Sequence, residues 1–187
     1  MFTQYPKRAK LHDGTEVILR LMAKDDQRSL YEFFQRVPRE DRLFLRDDVS
    51  DPKTVQAWAE GLDYDRVLPL LAVAGGKIVG DATLHRRRHE WTRHVGRIRL
   101  VVDPEYRHKG LGTLLVRELV EIGRRLKLER LVAEVMGTQQ AALAAFRHLG
   151  FERGAVLHQH VKDQGGRPQD LVIMIHDLTE PPEVVSF

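Results

Sequence analysis

Cysteine is absent from the 187 residues, so no disulfide framework stabilises this chain. Long apolar runs are missing as well. The most continuous ones, Val67 to Ala74 and Leu171 to Ile175, fall far short of the roughly 20 residues a membrane helix needs. The N-terminal MFTQYPKRAK has basic residues but no apolar segment of a signal peptide behind them, and a cytoplasmic protein is the expectation. No Pro/Gly/Ser-rich linker divides the chain, no segment repeats at a fixed period and none collapses to low complexity, which leaves one domain over residues 1–187. A strong charge imbalance is lacking too: 30 Lys and Arg against 27 Asp and Glu leave +3, too little to imply nucleic acid.

What is present is 42% hydrophobic and 30% charged residues, the balance of a globular protein. The charge is unevenly placed. Arg86, Arg87, Arg88, Arg93, Arg97 and Arg99 follow His85 with Glu90 as the only acid among them. Their simplest role is a solvated strand-and-turn surface. Trp91 is the one interleaved aromatic, so nucleic acid is the least favoured partner.

Hydrophobic periodicity gives the element order. Glu16 to Leu21 follows an Asp13-Gly14 turn and predicts a strand. Asp25 or Asp26 opens a helix carrying Leu30, Phe33, Phe34 and Val37 and ending at Pro38; Ser50 or Asp51, with Pro52 in the first turn, opens a second with Val55, Trp58, Ala59 and Leu62. Strands follow at Leu68 to Ala74, Lys77 to His85 across a Gly75-Gly76 turn, and Val95 to Val102. Leu111, Leu114, Leu115, Leu119, Ile122 and Leu126 form a helical stripe of about four turns. Leu131 to Met136 is a strand, Gln139 to Leu149 a helix ended by Gly150, and two strands at about 153–162 and 168–178 surround Gly165-Gly166.

Between a strand and the long helix lies Arg107-His108-Lys109-Gly110-Leu111-Gly112. Free N–H groups in the first helical turn, a dipole worth about half a positive charge and glycines that admit close approach make an anion site, one that would fit a pyrophosphate. Two familiar phosphate motifs do not match. A Walker loop would need Gly-Lys-Ser/Thr, and a dinucleotide fingerprint a small residue where Leu115 stands.

Val102-Asp103-Pro104-Glu105-Tyr106-Arg107-His108-Lys109-Gly110-Leu111-Gly112-Thr113 resembles the acetyl-CoA loop of the GNAT superfamily of N-acyltransferases, with its Arg/Gln-x-x-Gly-x-Gly/Ala core. Ala142 and Phe146-Arg147-His148-Leu149-Gly150-Phe151 are similar to the family's later helix and its Leu-Gly-Phe ending, and the element order matches over about residues 15–178. His12 to Arg20 and Leu62-Asp63-Tyr64-Asp65-Arg66 also resemble the GNAT domains of bacterial protein-lysine acetyltransferases. The resemblance implies an α/β (α+β) GNAT fold: a mixed, mostly antiparallel central sheet of about seven strands flanked by about four helices, with strands splayed at the acetyl-CoA site. It implies an acetyl-CoA-dependent N-acetyltransferase acting on a primary amine in a ternary complex, with a small molecule or a protein amine as acceptor and no metal. Backbone groups of Gly110, Leu111, Gly112 and Thr113, with His108, would receive the CoA pyrophosphate, while Arg107 and Lys109 add charge. Leu100, Val101 and Val102 would lie beside the pantetheine, where a backbone N–H polarises the thioester carbonyl.

The chain departs from the family where the proton chemistry resides. A glutamate of the protein-acetylating relatives is replaced by Arg97, and an Asn and Tyr of the later helix, by Gln139 and Phe146. Glu134 is then the expected base; His85 and His158 have suitable intrinsic pKa values, and Tyr106 is expected to pack in the loop. Arg97 and Arg99 share a strand face and are expected either to read an acidic group on the acceptor or to pair with acids of a neighbouring strand or of a partner in a homodimer. The changes at Arg97 and Phe146 also motivate an alternative, a catalytically weakened GNAT domain that binds acyl-CoA as a sensor or scaffold.

Overall fold

The computed structural model describes residues 2–42, 45, 47–87 and 89–179. Its strands are β1 (Lys7–Lys10), β2 (Glu16–Leu21), β3 (Val67–Ala74), β4 (Lys77–His85), β5 (Val95–Val102), β6 (Arg130–Met136), β7 (Glu152–Lys162) and β8 (Pro168–Asp177). The helices are α1 (Gln27–Arg36), α2 (Arg39–Arg42), α3 (Pro52–Glu60), α4 (Leu111–Arg125) and α5 (Gln140–His148). The strands form one sheet in the order β1-β2-β3-β4-β5-β6-β8-β7.

Every neighbouring pair is antiparallel except β5 and β6. A parallel pair needs a crossover, which α4 supplies. The apolar stripe of α4 is buried at Leu111, Leu115, Val116, Leu119, Val120 and Ile122, packed with the inward side chains of β2 to β6. On the opposite face α1 and α3 bury Leu30, Phe33, Phe34, Val55 and Ala59 against Leu71, Ile78 and Val101. Burial on both faces explains why β3 is apolar almost throughout, where a one-sided strand would alternate.

The eighth strand, β1, and the short helix α2 are additions to the elements expected from the sequence. Lys-Arg-Ala-Lys has no apolar alternation to announce a strand. It is held instead from a distance: the buried Glu118 of α4 accepts hydrogen bonds from the Lys7 ammonium and, at 2.9 Å, from the Tyr5 hydroxyl. α3 starts as anticipated, with Pro52 in its first turn and the Asp51 carboxylate accepting from the Lys53 N–H at 2.9 Å. Asp26 precedes α1 without capping it; its carboxylate takes two 2.6 Å bonds from Arg20 and one from the Ala23 N–H. Among the described residues no helix is long and apolar enough to cross a membrane.

Candidate active site

The parallel ladder is short. β5 and β6 are in register only from Val95↔Arg130 to Ile98↔Ala133. Beyond it β5 continues against β4 as far as Gly80↔Val102, while β6 continues against β8 as far as Met136↔Leu171. The two strands separate, and Leu100 to Val102 face Glu134 to Met136 across a wedge. Backbone groups along such an inner edge are available to an extended ligand.

A cavity of about 160 Å³ occupies the wedge, lined among others by Arg97, Leu100, Glu134, Gln139 and Phe146. A larger one, about 380 Å³, lies over β3, β4 and β5 on the α1/α3 face, with Met22, Leu30, Trp58, Asp81 and Thr83 in its wall. Leu45, Arg99 and Val101 line both, so the cavities adjoin at the open edge of β5.

At the end of β5 the loop is braced from several sides. The buried Asp103 accepts from Arg36 Nε at 2.8 Å and from the Glu105 N–H at 3.1 Å, and its own N–H donates to the Val79 carbonyl at 3.0 Å. Arg107 Nε donates to the Val102 carbonyl at 3.2 Å and Nη2 to Asp41 at 2.5 Å. Lys109 Nζ lies 3.1 Å from Asp13 and over the Tyr106 ring. The cationic charge expected from Arg107 and Lys109 is therefore matched by acids, and Arg107 works as a brace between α2 and the end of β5.

The glycines have separate tasks. Gly110 precedes α4 with φ 85°, and a Cβ there would lie 2.7 Å from the His12 ring. Only glycine meets both conditions. At Gly112 a Cβ would point at Leu100 Cδ2, 3.3 Å away. This glycine lets the first turn of the helix sit close on β5. The first-turn N–H groups of Leu111, Gly112 and Thr113 still have no intrahelical acceptor, as in any helix start.

The remaining candidates divide. Arg97 Nη1 donates to Glu134 Oε1 at 2.6 Å across the parallel pair, so the expected base and one expected anion reader hold each other. Phe146 packs edge-on against Phe151, and Gln139 closes the same end of the wedge. His85 Nε2 lies 3.0 Å from Thr83 Oγ1 in the wall of the larger cavity. His158 sits on β7, two strands beyond β6, beside Asp170. Of the basic run, Arg86 bonds the Tyr64 carbonyl and Arg87 the Glu90 carboxylate; Arg88 lies outside the described residues. Among the described residues no group of three or more His, Asp or Glu side chains forms a metal cluster.

The residue that sequence reasoning missed is Asp81. It is buried, its Oδ1 has no hydrogen-bond partner, and burial pushes its carboxyl up from the ordinary 3.8 to about 7. The available signal was a lone acid in the middle of a mostly apolar strand segment, Ile78 to Leu84.

A family model described as the Acetyltransferase (GNAT) family matches residues 25–151. The L-amino acid N-acyltransferase MnaT of Escherichia coli (strain K12) is 26% identical over 170 residues, 89% of this chain and 98% of that protein. N-alpha-acetyltransferase 30 of Xenopus laevis is 30% identical over 120 residues, 64% of this chain; the match spans 44% of the frog protein, less than half its length. The structure of yncA from Salmonella typhimurium, solved with its cofactor acetyl-CoA, superposes with a TM-score of 0.72 at 24% identity, covering 88% of this chain and 95% of that one.

Proposed function

Because the chain belongs to the acetyltransferase (GNAT) family, we propose that it transfers the acetyl group of acetyl-CoA to the nitrogen of a small primary amine that carries a carboxylate, by direct attack with both substrates bound. The observation that carries this reading is the meeting of two cavities at Arg99 and Val101. One is a slot between parted strands, the other a chamber floored by the sheet. A donor and an acceptor brought in by separate routes would come together there, which removes most of the entropic barrier to attack.

The residues suit the donor. First-turn amides of α4 would hold the pyrophosphate, the inner edge of β5 from Leu100 to Val102 would run beside the pantetheine, and Gln139 and Phe146 would form the opposite wall. Acetyl-CoA supplies the activated acyl group. A backbone N–H of the β5 edge would meet the negative charge that develops on the thioester oxygen, without having to reorganise.

The acceptor would enter the larger chamber. Arg99 stands at the junction, where a guanidinium can hold a carboxylate in a bidentate fork, while Met22, Leu30 and Trp58 offer apolar wall to the rest of the molecule. An α-amino acid has the required pair of groups, and L-amino acids are what the relative MnaT acts on by its name.

Release of free CoA thiol, measured with α-amino acids, the matching decarboxylated amines and lysine peptides, tests the proposal. We expect kcat/KM for amino acids to exceed that for the decarboxylated amines by about 10²-fold or more, and Arg99→Gln to remove most of that ratio. Equal use of all three classes would reject the carboxylate, and no thiol release with any amine would reject acetyl transfer.

A further inference from the structure

Asp81 lies in the middle of β4, in register with Leu71 of β3 on one side and Val101 of β5 on the other. Side chains alternate along a strand, and a Cβ at the neighbouring Gly80 would meet Leu115 and Leu111 of α4. The Asp81 carboxylate therefore belongs to the other face, where it lines the floor of the larger cavity. It stands next to Val101, one of the residues shared with the wedge. A carboxylate buried with an oxygen unpartnered lowers stability and does nothing for the packing of β4. Such a group is kept for chemistry more readily than for structure.

We infer that Asp81 is the catalytic base that takes the proton from the acceptor's ammonium group. The inference rests on the acetyltransferase reading above and gives that reaction the base it otherwise lacks. A primary ammonium of the lysine type ionises near about 10.4 and cannot attack while protonated. One ammonium proton passes to the Asp81 carboxylate, and the neutral nitrogen forms the C–N bond to the thioester carbonyl carbon. The C–S bond breaks, the second nitrogen proton leaves with the sulfur as free thiol, and Asp81 returns its proton to solvent. The net change is ammonium plus thioester to amide, thiol and one proton.

The surroundings fit this role. Burial places the carboxyl near about 7, where it is ionised in a large fraction of molecules at neutral pH and still basic enough to accept a proton. His85 of β4, Arg99 of β5, Arg66 and Asp63 before β3, and Asp47 before α3 are the charged or titratable groups that share the cavity. The arginines favour the carboxylate form and the two acids oppose it. Glu134, by contrast, lines only the wedge and is bound to Arg97.

The test is the pH dependence of kcat/KM for the best amine with wild type, Asp81→Asn and Asp81→Glu, with CoA affinity measured by calorimetry. Wild type should show a rising limb with an inflexion near 7. Asp81→Asn should lose about 10² to 10⁴-fold at pH 7 with CoA affinity within about threefold, and its residual rate should follow only the amine's own ionisation. Asp81→Glu should recover part of the rate. If wild type turns over and Asp81→Asn keeps its rate and profile, Asp81 is not the base and the acetyltransferase reading stands. Should the Asn variant fail to bind CoA, the wild-type profile decides: a limb that tracks only the amine overturns the inference. A wild type inactive on every amine removes both.

Discussion

Arg97 and Glu134 meet across the parallel pair β5 and β6, Nη1 to Oε1 at 2.6 Å, at the level where the two strands begin to part. Both side chains are substantially open to solvent, 52% and 39% exposed, so the pair resembles a surface ion pair in energy. Such pairs contribute roughly 0 to 1 kcal/mol. A double-mutant cycle of Arg97→Gln and Glu134→Gln on thermal stability should return a coupling below about 1 kcal/mol that shrinks in high salt.

The same pair sets an expectation for activity. Glu134→Gln should lower kcat by less than about tenfold, since the carboxylate is held by a guanidinium and lies outside the larger cavity. A loss of about 10² to 10⁴-fold would return the role of proton acceptor to Glu134.

Gly110 offers a test of the loop. Gly110→Ala meets a left-handed backbone, φ 85°, and the His12 ring together, and should destabilise the fold by about 1 to 3 kcal/mol while weakening CoA binding. Adding His12→Ala removes the collision but leaves the φ requirement, so chemical denaturation should show partial recovery. Full recovery would mean that only the contact with His12 demands glycine.

Asp81 should make stability fall with rising pH. Its folded carboxyl is raised to about 7 from the ordinary 3.8, so the folded state holds the proton more tightly than the unfolded chain does. The contribution is fully present below about pH 3.8 and is lost as pH climbs through about 7. Asp81→Asn escapes that loss and should be the more stable protein at pH 8, by up to about 4 kcal/mol, with the gap closing at pH 4. Parallel melting curves at the two pH values check this. A variant that gains stability while losing rate would be trading one for the other, as active-site substitutions often do.

Much of the architecture was legible because it is written in local chemistry. The stripe from Leu111 to Ile122 has one period, Gly75-Gly76 turns between two apolar runs, and Pro52 can occupy only a first turn. The splay was legible through family resemblance. What escaped was settled at long range. β1 pairs with β2 and is tied through Lys7 to Glu118, more than 100 residues away. The ion pair of Arg107 with Asp41, 66 residues away, is likewise invisible in the sequence. Asp81 reads as one more polar residue until the helices that cover its face are in place, since burial belongs to the fold and not to the tripeptide around it.

The shortness of the β5/β6 ladder has a further consequence. Residues 7–102 build the sheet from β1 to β5, residues 130–177 build β6, β8 and β7, and four register pairs join these two consecutive stretches of chain. The larger cavity draws every lining residue from positions 22–101, whereas the wedge takes residues from both stretches. On the proposed reading, the acceptor chamber would be drawn from a stretch of chain separate from the start of α4 and from the β6 wall of the wedge. Substitutions at chamber residues that touch neither the wedge nor the loop, such as Met22, Leu30 or Trp58, would then reshape what is accepted and leave the proposed donor site as it is. One scaffold could in this way acquire a new acceptor by changes confined to the stretch of chain before β5.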